Sequence, residues 1–342
     1  MLSSRGPLTN VCIASLLSVG LSVGAGRIVV KAQNAEESME AMCAGDMQWM
    51  IGWCLDMVTP GDSAEVASLA LDALAVSGGS FERIDVPGAI GTRAFGINPQ
   101  GDIVGSYTDP SGTHGFLLSH GVFGRIDYPG ASTTEAWGIN ARGDIIGRYT
   151  RAGVPGIRGF LLSRGRFTDI SIDNHLITLP TKIGASGEIV GCFHETNALV
   201  DMYAYVQRGS DVELFVLPST VAPGGSATMH NGVTPGGETI IGLHFPAPGQ
   251  SRGYVLTRDT FTFLDAPGST STQAWDLNAN GTIVGQYDAG GRTHGFYYDQ
   301  GGLVAIDVPG SSMTVARGIN PRGEIVGVFN DAAGAHGFVL RE

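Results

Sequence analysis

Three histidines, His114, His294 and His336, each open a His-Gly-Phe phrase, and four aspartates, Asp85, Asp127, Asp265 and Asp307, recur ahead of a Pro-Gly pair. Imidazole beside carboxylate is the material of acid–base catalysis and of metal binding. These residues return at one interval, however, and a mononuclear site needs few of them. We therefore assign them to the framework, the aspartate capping a turn through its side chain and the histidine bonding a carbonyl of a neighbouring strand. Residues that break the repeat are better candidates for chemistry. His175, His194 beside Glu195, His230 and His244 lie in its two irregular copies; His230 replaces an alanine (Ala94, Ala136, Ala274, Ala316) and His244 takes the slot of Tyr107. His194, Glu195, His230 and His244 are the candidate catalytic residues of a hydrolase or lyase acting on polysaccharide or ester substrates, by acid–base chemistry or through zinc. Their spacing matches no metal motif, so no cofactor is assigned and the identity of any bound metal ion stays open.

A second set of candidates fills the slot ahead of a recurring Gly-Ile-Asn phrase: Phe95, Trp137, Thr181, Asn231, Trp275 and Arg317 in turn. If the copies stack regularly, these side chains occupy equivalent places around one axis. Phe95, Trp137, Asn231, Trp275 and Arg317 then form a ligand-binding set, aromatic faces for a sugar or other flat ligand with Arg317 for a charged or polar end. The competing assignment is structural, with the same side chains wedged between neighbouring units as core. Nucleophile-elbow, zincin, Walker and dinucleotide phrases are absent, which weakens the case for an enzyme without closing it.

The elements that must hold these residues are strands. In the second copy, the pieces Phe123 to Gly130, Ala136 to Asn140, Gly143 to Tyr149 and Arg158 to Leu162 are each a short β-branched or aromatic run bounded by Gly, Pro, Asn or Asp. Asn140-Ala-Arg-Gly143 and its relatives read as four-residue hairpin loops, with Asn tolerating unusual backbone angles and Gly supplying positive φ. The first-strand phrase begins at Phe81, Phe123, Phe167, Leu214, Phe263 and Leu303, a mean interval of about 44 residues. Four strands in such a unit, stated six times, predict an all-β fold, a six-bladed β-propeller of four-stranded blades over 81–342. The strand of His336-Gly-Phe338 elsewhere directly precedes that phrase, so the first strand is expected to pair with the last.

Gly-Ile-Asn, Gly-x-Ile-Val-Gly-x-Tyr, His-Gly-Phe and Ile-Asp-x-Pro-Gly together resemble the bacterial HAF-type extracellular repeats. The resemblance spans 81–342 and departs in copies three and four, where Tyr203-Ala-Tyr205 and Arg252-Gly-Tyr254 replace His-Gly-Phe. It implies a secreted or envelope protein with a propeller-like array and carries over no general activity.

The remaining fifth differs. Arg5 followed by the apolar run 11–25 and the small-x-small end at Val30-Lys-Ala32 reads as an export signal over 1–32, leaving no integral membrane span once it is removed. Residues 33–80 form a linker or cap expected to be helical, from the Asp62-Ser-Ala-Glu65 capping box to a Gly78-Gly79 stop, with Cys43 and Cys54 placed to close a disulfide in an exported chain. The 342 residues carry 20 basic and 32 acidic side chains, a net charge of −12, and the cations do not cluster along the chain. Nucleic acid is thus excluded as a partner, since phosphate binding needs clustered Lys and Arg. The expected function is an exported binding module for carbohydrate or another envelope component, with the hydrolase or lyase as its alternative.

Overall fold

The computed structural model describes residues 28–31, 79–172, 175–194, 202–215, 217, 227–247, 249–258, 260–299 and 302–341. The predicted helix after Asp62, the Cys43–Cys54 pair and Glu195 lie outside the described residues. Within them the architecture is all-β in the manner of a β-propeller, with no helix.

The strands follow the repeat. A short β1 (Ile28–Lys31) is followed by β2 (Ser80–Ile84), β3 (Gly91–Ile97), β4 (Ile103–Asp109), β5 (Gly112–Ser119) and β6 (Val122–Ile126). Next come β7 (Thr133–Ile139), β8 (Ile145–Arg151), β9 (Val154–Ser163) and β10 (Arg166–Ile170), then β11 (Ile177–Ile183), β12 (Ile189–His194), β13 (Met202–Arg208) and β14 (Asp211–Phe215). The chain continues through β15 (Thr228–Val233), β16 (Thr239–Ala247), β17 (Gln250–Thr257) and β18 (Thr260–Leu264). It ends with β19 (Ser271–Leu277), β20 (Ile283–Ala289), β21 (Arg292–Asp299), β22 (Gly302–Ile306), β23 (Met313–Ile319), β24 (Ile325–Asp331) and β25 (Gly334–Arg341).

Three four-stranded sheets stand apart, β15-β16-β17-β18, β19-β20-β21-β22 and β23-β24-β25-β2; the remaining strands are joined in a thirteen-stranded sheet by short parallel bridges. In the third of these, Phe81 of β2 lies opposite Leu340 of β25, so the strand that opens the array completes the last sheet. Among the described residues no ladder closes into a ring; the first and last units meet by side-chain packing. β1 runs parallel to β14, Ile28 opposite Val212, within the stretch read as the export signal.

Each phrase of the repeat has a packing reason. Gly105, Gly147, Gly285 and Gly327 pair across the ladder with Phe116, Phe160, Phe296 and Phe338, all fully buried. A Cβ on Gly327 would lie 2.7 Å from the Phe338 ring, so the aromatic ring occupies the space that a side chain would need. Burying each phenylalanine is worth roughly 1.5–3 kcal/mol. Ile84, Ala94 and Phe116 pack with Val326 and Val339, which joins the first unit to the last.

The turns correct one expectation. No asparagine of the Gly-Ile-Asn loops has positive φ; Asn140 acts through its side chain, Oδ1 accepting from Arg142 N at 2.9 Å and Asp144 N at 3.0 Å, while Gly143 alone takes φ 78°. The amide also bonds the next loop: Asn98 Nδ2 donates to Asn140 O at 3.5 Å, and Asn320 Nδ2 to Asn98 O at 3.3 Å.

Candidate functional site

The inner strands β3, β7, β11, β15, β19 and β23 each carry one irregularity, at the slot residue. Pairing jumps between Ala94 and Gly96, Ala136 and Gly138, Pro180 and Lys182, His230 and Gly232, Ala274 and Asp276, and Ala316 and Gly318. Phe95, Trp137, Thr181, Asn231, Trp275 and Arg317 are therefore bulge residues, left without a ladder partner and free to aim where a regular strand would not send them.

Four of them come together. Phe95 stacks on Trp137 with centroids 4.6 Å apart, Trp137 lies 6.4 Å from Trp275, and the Arg317 guanidinium sits 3.7 Å above the Trp275 ring and 5.7 Å from that of Trp137. Phe95 and Arg317 are buried, whereas the two tryptophans keep part of their surface in solvent. The other two do not join. Thr181 Oγ1 donates to His230 O at 2.6 Å, and Asn231 Nδ2 to Ala274 O at 2.8 Å, each tying its strand to the next. The slot residues thus divide: Thr181 and Asn231 bond backbone carbonyls of neighbouring strands, and the aromatic and arginine members form one cluster where the inner strands converge.

The same cluster contains residues that sequence reasoning missed. Two positions before the slot, β7 and β19 supply Glu135 and Gln273, and the second strands supply Arg148 and Gln286. Trp137 Nε1 donates to Glu135 at 3.0 Å and Trp275 Nε1 to Gln286 Oε1 at 3.2 Å; Arg148 bonds Glu135 and lies 4.3 Å over Trp137. Burial works to raise the Glu135 carboxyl, but Arg148, the Trp137 indole and Arg93 together hold it below the usual carboxylate range. Arg317 is pushed the other way: burial first, then Arg148 and Arg93, bring its guanidinium down to about 9. The signal for these residues was present, since they occupy fixed positions of the repeated phrase whose identity changes from copy to copy.

One residue after the slot, the phrase has glycine in four copies and Lys182 and Asp276 in the others. A Cβ on Gly96 would lie 2.9 Å from Trp137 O, and one on Gly318 2.9 Å from Phe95 O, so neighbouring strands nearly touch there. Lys182 Nζ meets Asp276 Oδ2 at 2.5 Å, joining β11 to β19 past the intervening β15, and Ile319 N donates to the same oxygen at 3.0 Å. Burial raises the Asp276 carboxyl, while Lys182 and the two backbone donors favour its charged form.

The candidate catalytic histidines sit elsewhere, inside the sheets. His230 Nδ1 is 2.7 Å from the Tyr254 hydroxyl, and full burial drives its pKa down to about 3. His244 Nδ1 lies 3.3 Å from Ala227 O, and burial brings it to about 4. His194 is buried with Nε2 4.0 Å from Cys192 Sγ. None is exposed to receive a substrate, and among the described residues no three His, Cys, Asp or Glu side chains are grouped to hold a metal ion.

The repeated histidines have a framework partner, different from the carbonyl expected. His114 Nδ1 lies 2.8 Å from Asp127, His294 Nδ1 2.8 Å from Asp307 and His336 Nδ1 2.9 Å from Asp85, each pair linking adjacent outer strands. In the fourth copy Arg252 replaces histidine and pairs with Asp265, while Asp169 accepts from the hydroxyls of Tyr128 and Tyr149.

No protein-family model matches the sequence, and no curated protein sequence does. Similar solved structures include a gluconolactonase from Xanthomonas campestris, at 12% identity and TM-score 0.45, over 74% of this chain and 89% of that one. TolB from Acinetobacter baumannii gives 15% identity and TM-score 0.47 over 63% and 54% of the two chains. The Aleuria aurantia lectin, in complex with Fucα1-6GlcNAc, gives 10% and 0.47 over 73% and 95%. With TM-scores below 0.5, these likenesses carry no argument about a site or an activity.

Proposed function

We propose that the chain is an exported protein of the HAF-repeat type, a six-bladed β-propeller of four-stranded blades that binds carbohydrate or a similar envelope component at its central axis. The observation that carries this reading is the meeting of Phe95, Trp137, Trp275 and Arg317, four bulge residues from separate inner strands, with both tryptophans part exposed. Indole faces suit the C–H faces of pyranose rings, and guanidinium and amide groups suit their oxygens. Side chains on rigid strands are also held in place before the ligand arrives, which lowers the ordering cost of binding. The histidines offered for a hydrolase or lyase are buried, and burial holds His230 and His244 well below the usual imidazole range, so no observation favours that alternative.

The test is glycan binding by the purified full chain and by a Trp137→Ala/Trp275→Ala variant. Saturable binding to at least one glycan, weakened on the order of tenfold or more in the variant, is expected, since stacked aromatic anchors typically carry a few kcal/mol. Equal affinity in the two proteins would remove the axis as the site.

A further inference from the structure

The cluster has unused hydrogen-bonding capacity. Nε and Nη1 of Arg317 are buried with no acceptor among the described residues, and the residue as a whole is only 9% exposed. Both polar atoms of the Gln273 amide and the hydroxyl of Ser106, also buried, are unpartnered as well. Ser106 and Gln273 occupy the same repeat positions as Arg148 and Glu135, so they belong to the layer around Arg317. Stacking on Trp275 occupies the face of the guanidinium, which leaves its in-plane N–H edge idle. Buried polar groups in folded proteins are nearly always paired, and an unpaired buried charge is the most expensive exception. Arg148 and Arg317 both lie over the Trp137 ring, at 4.3 and 5.7 Å, and the one carboxylate there, Glu135, is already engaged by Arg148 and Trp137, while the charge of Arg93 acts on both Glu135 and Arg317.

We infer that the ligand of this site is anionic, a carboxylate-bearing sugar whose carboxylate docks on the free edge of Arg317 while its ring lies against Trp137 and Trp275. Guanidinium and carboxylate match in planar, two-point geometry, and the pairing is strengthened where water is excluded. The Gln273 amide and Ser106 hydroxyl are suited to the ring hydroxyls beside it. A chain of net charge −12 that gathers three arginines at its axis has concentrated the opposite sign there, which fits an acidic ligand and no neutral one. This inference rests on the glycan reading above for the sugar and on Arg317 for the charge, and the two parts fail separately.

The experiment is calorimetric titration of the full chain with oligosaccharides of galacturonate, glucuronate and mannuronate, each beside its carboxyl-reduced neutral counterpart, with sodium acetate as the bare anion. The same probes are applied to Arg317→Met and Gln273→Ala variants whose folding is checked by melting curves. A preference of about tenfold or more for an acidic oligosaccharide over its reduced form, abolished in Arg317→Met, with both forms bound more weakly in Gln273→Ala, is the expected result. Arg317→Met should also melt no lower than the parent, because it removes an unpaired buried charge; should it fail to fold, the preference of the parent for the acidic form over its reduced counterpart still decides the anionic inference. Equal binding of acidic and reduced forms overturns the anionic inference and leaves the glycan reading intact. Binding of acetate that is lost in Arg317→Met, with no oligosaccharide bound, supports the anion site and removes the glycan. No saturable binding by any probe overturns both.

Discussion

His230 shows how one residue departs from a repeat without becoming a site. It stands where four other copies carry a fully buried alanine, and Tyr254 stands where they carry the buried phenylalanine Phe116, Phe160, Phe296 or Phe338. The two replacements answer each other through the 2.7 Å contact of hydroxyl and imidazole. Restoring the common pair with His230→Ala/Tyr254→Phe should therefore cost less than the two single changes added together, each of which leaves one buried partner unpaired at about 1–3 kcal/mol. Denaturant unfolding of the four proteins measures this coupling, and additive effects would refute it.

The same pair fixes a pH dependence. His230 titrates at about 3 in the folded chain against an ordinary 6.5, and His244 at about 4. Below 6.5 the unfolded chain takes up these protons first. The stability they lend is complete above about pH 6.5 and is lost as pH falls toward 3, at up to roughly 1.4 kcal/mol per pH unit for each histidine. The double variant should accordingly lose less stability between pH 6.5 and 4 than the parent does. From sequence the two histidines were visible as departures, but departure alone does not separate a catalytic residue from a repacked one; burial and partner do.

At the scale of the element, the inner strand was legible as a strand and illegible in its detail. Alternation cannot reveal that Trp137 or Arg317 is the extra residue of a bulge, because a bulge shifts the period by one and leaves the composition unchanged. Lining up the copies did find the slot, since the phrase around it is constant while the slot varies. Glu135, Arg148, Gln273 and Gln286 vary in the same way and were passed over because their phrases were read as strand grammar. The glycine of Gly-x-Ile-Val-Gly is the reverse case, constant because nothing else fits. Gly327→Ala would drive a methyl into the Phe338 ring and the opposite strand, and it should destabilise by more than about 3 kcal/mol or prevent folding. Gly121→Ala, in a turn with open space around it, should cost about 1 kcal/mol from its φ of 78° alone. Comparable losses in thermal denaturation would refute the packing account of the phrase.

For the whole molecule, the interval of the repeat announced the all-β architecture, and the order of phrases announced that β2 would meet β25. Sequence could not say what the inner strands do where they converge, because that depends on contacts between copies far apart in the chain. Trp137 and Trp275 are 138 residues apart and share a cluster; Lys182 and Asp276 replace two glycines and meet at 2.5 Å. The result is an axis with an ion pair at one level and an aromatic, arginine-bearing group at the next, in a protein whose other repeated polar residues are spent on joining strands.

That axis is where the central claim is most directly measured. Four tryptophans are present in the chain, and Trp49→Phe/Trp53→Phe leaves Trp137 and Trp275 as its only indoles. Titrating this full-length variant with the acidic oligosaccharides while following tryptophan emission reports on the proposed site alone. A saturable change in emission, with the same midpoint as the calorimetric binding curve, is the predicted result. An oligosaccharide that binds by calorimetry and leaves the emission of Trp137 and Trp275 untouched would place the ligand elsewhere and contradict the account.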